Sequence, residues 1–311
     1  MMYPYRSRAA LAVVFGLVSG AASAQLPDLY LFHPQETSRW TDEDLLNRTV
    51  NPSREHRLQA WPAYTVIDNV HYVGTRNLGS FLITTPEGHI LVNSTYPETL
   101  PLVRESVEEL GYRWEDIEFV LGNHAHGDHM SGNAWAKEQT GAQVVAMAQD
   151  MPLLERMTPQ GRAHPIDRVI EHGDTVELGG VVMTAHLTGG HTPGATAWTL
   201  ESVENGETYD VVILGATVPT GGTDLTDPEV QTQFENGFRV QRSLSCDVPL
   251  GPHTPMYQME EKYALLVERE GAGPNPFIDP EGCLEELYQS ERIYYLRLRE
   301  TLRDLVAKQG D

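Results

Sequence analysis

Four residues of metal-binding type fall within six positions at His124-Ala125-His126-Gly127-Asp128-His129. The segment follows a short apolar run, Ile117 to Leu121, and precedes a helical stretch that reaches about Gln139. Residues two apart in an extended chain point the same way, so His124 and His126 can hold one ion together. The turn into the helix aims Asp128 and His129 in another direction, which suits a second ion beside the first. Imidazole nitrogen and carboxylate oxygen are good zinc ligands, and zinc is usually four-coordinate. One loop cannot complete two such sites, so the fold must deliver further ligands from elsewhere. His191, in Gly189-Gly190-His191-Thr192-Pro193-Gly194, and His253, in Gly251-Pro252-His253-Thr254, each occupy a Gly/Pro-framed turn after a strand-like run. The expected sets are His124, His126 and His191 on one zinc, and Asp128, His129 and His253 on the other. Three protein ligands per ion leave a position for water, which is the catalytic rather than the structural pattern. The other histidines (His33, His56, His71, His89, His164, His172, His186) are read as surface or packing groups.

The rest of the chain alternates short strands with helices. His71 to Gly74, Ser80 to Thr85 and His89 to Asn93 are β-rich runs, with Pro86-Glu87-Gly88 as a hairpin turn. Leu100, Val103, Val107 and Leu110 recur at helical spacing, and Gly111 stops that helix. Another strand is expected over 142–146. The second half repeats the pattern, with strands at 168–171, 175–186, 195–201 and 209–215 and a helix over 229–243. A short strand ends near Pro252. A closing amphipathic helix should turn Leu284, Leu287, Ile293, Leu296, Leu302 and Leu305 inward. Two β-then-α halves predict a layered α/β protein with mixed sheets.

Composition narrows the function. The chain has 311 residues and a formal net charge of −22. A phosphate backbone would be repelled and no Lys/Arg cluster offsets this, so nucleic acid is not an expected partner. Arg6 and Arg8, the apolar run Ala9 to Val18 and Ala22-Ser23-Ala24 have the form of a signal peptide cut after Ala24. The apolar run is too short to span a bilayer. The expectation is a periplasmic protein with no stable membrane association, and a monomer. Cys246 and Cys283 are the two cysteines, and export suggests that they form a disulfide rather than remain buried thiols.

HAHGDH, the downstream GHTPG and the final His253 together resemble the metallo-β-lactamase superfamily. The resemblance implies a four-layer αββα sandwich with mixed sheets and metals at one edge. The order Asp128-His129 is most similar to the class B β-lactamases of subclass 3. Tyr72-Val73-Gly74-Thr75, Leu82-Ile83-Thr84-Thr85-Pro86, Thr140-Gly141-Ala142-Gln143 and Asn275-Pro276-Phe277-Ile278-Asp279-Pro280-Glu281-Gly282 agree with that group. Some of its members also have a disulfide where Cys246 and Cys283 lie. The resemblance runs from about residue 61 to the C-terminus. The domain reading is a signal peptide at 1–24, an extension over 25–60 that packs on the main domain, and a metallo-β-lactamase domain over 61–311.

The implied activity is hydrolysis of the β-lactam amide bond of penicillins, cephalosporins and carbapenems by a metal-bound hydroxide, conferring antibiotic resistance. It implies two Zn²⁺ per chain, with Asp128 as both ligand and catalytic residue, and a small-molecule β-lactam substrate. Asn93-Ser94 stands where most of the superfamily has Asp-Gly, although a branch of the subclass carries Asn. Lactonases and thioester hydrolases of the superfamily have a bridging Asp where this chain runs Leu214-Gly215-Ala216-Thr217-Val218. That difference favours the lactamase reading over those two and over an iron-dependent sulfur dioxygenase. A zinc-binding protein without catalysis is the alternative from a different class. The subclass often has two serines here for the substrate carboxylate. Thr217 can supply one hydroxyl, and Pro219 cannot supply the other.

Overall fold

Rows of β-branched and aromatic side chains, matched across neighbouring strands, build two mixed sheets in the computed structural model. It describes residues 40–47, 53–269 and 272–309. The expected signal peptide lies outside the described residues, as does the extension up to Arg39. The first sheet runs in sequence order: β1 (Tyr64–Ile67), β2 (Val70–Tyr72), β3 (Phe81–Thr85), β4 (Gly88–Val92), β5 (Ile117–Leu121), β6 (Gln143–Met147) and β7 (Arg168–Ile170). Its first four strands pair antiparallel, and β4 to β7 pair parallel. The second sheet holds β8 (Thr175–Leu178), β9 (Val181–Leu187), β10 (Thr196–Glu204), β11 (Glu207–Ile213) and β12 (Val248–Leu250), in the order β12-β11-β10-β9-β8. Only its β11–β12 pair is parallel.

Register explains the layers. Phe81, Val92, Leu121 and Val145 align across β3 to β6. They are buried with Met183, Ala185, Trp198, Leu200 and Ile213 of the second sheet in one inter-sheet core. One residue out of phase, Leu82, Leu91, Val120 and Val144 form the opposite row. That row packs on Val103 and Val107 of the helix Leu100–Glu109 and Ala136 of the helix Asn133–Thr140. Strand side chains alternate faces, so each buried strand feeds both layers. The helices Pro228–Arg242 and Pro280–Gln309 join through Phe234, Phe238, Leu287 and Tyr294 and contact β9 and β12 respectively. The result is the expected four-layer αββα sandwich with mixed sheets.

Local details differ from the sequence reading. The expected strand 175–186 is a hairpin, β8 and β9, because Gly179 and Gly180 adopt positive φ of 52° and 90° and turn the chain. β1 precedes the first expected strand, and a helix at Met259–Glu268 was not anticipated. In the C-terminal helix the buried line is Cys283, Leu287, Ser290 and Tyr294, joined by Ile293 and Leu296. Leu284, Leu302 and Leu305 are exposed instead. Leu284 lies one position off the buried line. The helix spans roughly 45 Å, longer than the layer it covers, so its last turns run past the core. The short helix Asp42–Asn47 packs on it, with Leu45 buried against Ile293 and Leu296. No helix among the described residues is long and apolar enough to cross a membrane.

Cys246 and Cys283 are bonded, tying the chain before β12 to the first turn of the C-terminal helix across 37 positions. Closing such a loop in the unfolded chain is worth about 4 kcal/mol on the chain-entropy account. Replacing both cysteines by serine should lower the unfolding free energy in urea by about 2–4 kcal/mol, and an unchanged midpoint would contradict this role.

Candidate metal centre

Three loops at strand ends converge beside Asn123. β5 ends at Leu121, and the chain bends over 123–125, with His126 N–H donating to His124 O at 2.8 Å, before the short helix Gly127–Met130 begins. His126 is the residue before that helix, and its carbonyl accepts from Met130 N–H at 3.0 Å. His191 comes from the loop after β9. Gly190 there has φ of 123°, and a side chain at this position would strike the Phe234 ring. His253 follows β12 and pairs with Leu78 across an isolated bridge.

The structure gathers all six expected residues. The ring centroids of His124 lie 4.8, 4.3 and 4.6 Å from those of His126, His129 and His191. His129 and His253 are 4.9 Å apart, and His253 Nε2 is 3.9 Å from Asp128 Oδ2. His124, His126 and His191 bring one nitrogen each to within 4.8 Å of one another, and His124, Asp128 and His129 do the same with their ligand-type atoms. The second of these groupings contains His124 where the sequence reading has His253, which lies on the far side of Asp128 and His129.

Hydrogen bonds test whether this cluster suits a cation. His191 Nδ1 donates to Val218 O at 2.6 Å, so its Nε2 presents a lone pair, 3.1 Å from His126 Nδ1. His253 Nδ1 donates to Asn77 Oδ1 at 3.1 Å, which leaves its Nε2 facing Asp128. Both ring nitrogens of His124 and of His129 are buried without a hydrogen-bond partner among the described residues. Orphaned buried nitrogens are costly unless something accepts their lone pairs. Burial holds His124 far below the usual imidazole range, takes His129 down to about 3, and takes His191 and His253 to about 4. Burial pushes the Asp128 carboxyl up, but His129 and His253 outweigh it and bring it to about 2. At neutral pH the cluster therefore offers neutral imidazoles and one carboxylate, a donor set that fits a divalent metal.

Several supporting contacts carried no signal in the sequence. Asp150 is buried, and its carboxylate accepts from Ala125 N–H at 2.8 Å, Thr192 Oγ1 at 2.8 Å and Gly194 N–H at 2.7 Å. It thereby ties the His124–His126 loop to the His191 loop. Asn123 Nδ2 donates to Thr196 O of β10 at 3.0 Å and to Leu214 O, just after β11, at 3.1 Å. Its Oδ1 accepts from Asn93 Nδ2 at 2.6 Å, while Asn93 Oδ1 accepts from Asn123 N–H at 3.0 Å. Asn93 has a left-handed φ of 66°, which Asn tolerates better than most residues. Thr217, expected at the substrate, is buried and donates its hydroxyl to Ser290 Oγ at 2.8 Å. His186 lies within 2.9 Å of Thr199 Oγ1 and 5.9 Å of the His172 ring, apart from the cluster.

Two substitutions probe this support. Asn123 cannot rotate its amide without facing Nδ2 away from two carbonyls. Asn93→Asp would therefore set a carboxylate oxygen against Asn123 Oδ1 and cost about 2–3 kcal/mol of stability, read from urea unfolding of the metal-free protein. Asp150→Asn loses an acceptor for one loop. It should weaken metal affinity about 10- to 100-fold in competition with a chromophoric chelator, and unchanged affinity would remove Asp150 from the support of this site.

Comparison with known proteins agrees with the fold and the cluster. The family model of the metallo-β-lactamase superfamily matches residues 79–266. The native FEZ-1 metallo-β-lactamase from Legionella gormanii is 34% identical, with 78% of this chain and 97% of that chain covered and a TM-score of 0.73. BJP-1, a subclass B3 metallo-β-lactamase of Bradyrhizobium japonicum, is 31% identical over 82% of this chain and 97% of its own, with a TM-score of 0.69. A hydroxyacylglutathione hydrolase from Rhodopseudomonas palustris (strain BisB5) is 32% identical over 118 residues, 38% of this chain. The chain spans 41% of that curated relative's length. The matched region contains all six clustered residues, and the chain belongs to the metallo-β-lactamase superfamily.

Proposed function

We propose that this superfamily hydrolase is a zinc β-lactamase that opens the cyclic amide of penicillins, cephalosporins and carbapenems. The observation that carries the reading is the carboxylate inventory of the cluster. Asp128 is the one carboxylate in the metal-type groups among the described residues. The run from Leu214 to Val218 adds none and instead serves structure. Leu214 O accepts from Asn123, and Val218 O orients His191. The likeness to the Legionella lactamase, which extends over 97% of that chain, supports the same reading.

The proposed holders of two zinc ions are His124, His126 and His191 for one, and Asp128, His129 and His253 for the other. Zinc bound there supplies Lewis-acid polarisation of a carbonyl and acidification of water. The chain supplies the rest. Val218 and Asn77 hold the rings of His191 and His253 with one nitrogen facing the cluster. Asp128, charged at neutral pH, offers an acceptor that can orient a water molecule by taking a hydrogen bond from it. Burial of His124 and His129 keeps the floor of the site dry, which strengthens each electrostatic contact made above it. The proposal includes export to the periplasm, where the disulfide would persist and a lactamase would intercept the drug.

The hydroxyacylglutathione hydrolase relatives make thioester hydrolysis the competing reading. The colour change of a chromogenic cephalosporin and the loss of ultraviolet absorbance of a carbapenem, followed with zinc-loaded protein before and after a chelator, separate the two. Chelator-sensitive ring opening is expected. His191→Ala should lower it by at least about 100-fold with the circular dichroism unchanged. Turnover of a glutathione thioester, with both β-lactams intact, would replace the proposed reaction.

A further inference from the structure

The candidate metal centre has an arginine beside it that the sequence motif does not contain. Arg57 lies on the short helix Arg54–Leu58, and its Nη1 is 3.9 Å from Asp128 Oδ2. That separation gives attraction without a hydrogen bond. Nη1 instead donates to the hydroxyl of Tyr96 at 2.8 Å, and the guanidinium lies 6.0 Å from the Tyr96 ring centre. Arg57 Nε is buried with no hydrogen-bond partner among the described residues. An arginine carries five N–H donors in a rigid fork. This one has donors left over, and its side chain keeps 25% exposure. Arg54, one turn earlier, is 72% exposed and is engaged with Glu98 at 2.9 Å.

The position of Arg57 is held from the core. Gln59 O accepts from Arg76 N–H at 2.8 Å, and Ala60 bridges to Thr75. The same segment continues into Asn77, which orients His253. The helix carrying Arg57 is thus moored to the stretch that sets one wall of the cluster. Tyr96 belongs to another wall, since Thr95 N–H donates to His129 O at 3.0 Å. Meanwhile the Thr217 hydroxyl is committed to Ser290, and Pro219 has no hydroxyl to offer. A small anion reaching this acidic protein therefore finds a fixed, incompletely paired guanidinium at the site itself.

We infer that Arg57, braced by Tyr96, is the residue that binds the carboxylate of an anionic substrate and selects for that group. The inference rests on the proposed hydrolysis for the identity of the substrate, but it can be read without turnover. A planar guanidinium matches a carboxylate with two parallel hydrogen bonds, which a lysine cannot reproduce.

The test compares mercaptoacetate with its methyl ester, two thiols that differ in the carboxylate charge, as ligands of the zinc-loaded protein by calorimetry. The unaltered protein should prefer the acid. Arg57→Ala should reduce acid binding about 10- to 100-fold while the bound zinc content stays the same, so that the preference for acid over ester collapses. Arg57→Lys should recover part of it, and Tyr96→Phe should weaken the acid alone. An acid-to-ester preference unchanged in Arg57→Ala would overturn the inference. So would loss of zinc from that variant without loss of preference, which would make Arg57 a counter-ion of Asp128 only. If no β-lactam is opened but the Arg57-dependent preference persists, the proposed reaction fails and the anion subsite stands.

Discussion

Asn123 sits fully buried where the two sheets meet, and its side chain bonds to both. One amide donates twice into the second sheet and accepts from Asn93 in the first. A buried amide with its donors and acceptors satisfied is rigid, because any rotation leaves polar groups unpaired. The residue after it is His124, the ring closest to three of the other histidines. The inter-sheet core supplies most of the cohesion, but apolar packing alone does not set the sheets at one definite offset. The two bonds from Asn123 Nδ2 to Thr196 O and Leu214 O do so at the edge where the functional loops emerge.

From that fixed edge the loops are tied to each other rather than to the core. Asp150 receives two backbone N–H groups and a hydroxyl from the segments flanking His126 and His191. Burial pushes its carboxyl up in spite of those bonds, so its interior position is a cost that the loop geometry offsets. Val218 and Asn77 play the corresponding part for individual rings. Each choice of ring nitrogen is dictated by a carbonyl behind it, leaving the other nitrogen aimed inward. The cluster is therefore preorganised from behind by the Asp150 carboxylate and by two carbonyl oxygens, and it contains one carboxylate of its own among the described residues.

Electrostatics gives the site its direction. The protein carries a net charge of −22, yet the cluster is made of neutral rings and a single Asp, with the Arg57 guanidinium beside it. A cation is attracted to Asp128 and the ring lone pairs, and an anion to Arg57. Those two preferences coincide within a few ångströms, as the proposed hydrolysis of a small acid requires.

The family resemblance implied the αββα layering; the sequence by itself determined the alternation of strands and helices along the chain and the six residues of the cluster. Those features are written locally, in apolar periodicity and in a dense run of ligand types followed by two Gly/Pro-framed histidines. It misplaced the Gly179-Gly180 turn, since two glycines inside an apolar alternation read as one strand. It also turned Leu284, Leu302 and Leu305 inward, because periodicity records an apolar side chain without recording whether another layer lies opposite. Only the tertiary structure decided that Asp150 joins two loops, that Asn123 spans the sheets and that Thr217 bonds to the C-terminal helix. It alone placed Arg57, 71 positions before Asp128, at the mouth of the site. These are pairings across long stretches of chain, and a lone Asp, Asn or Arg has no spacing that announces its partner. The physical reason is that hydrogen-bond satisfaction is a property of the folded interior, where distance along the chain no longer counts.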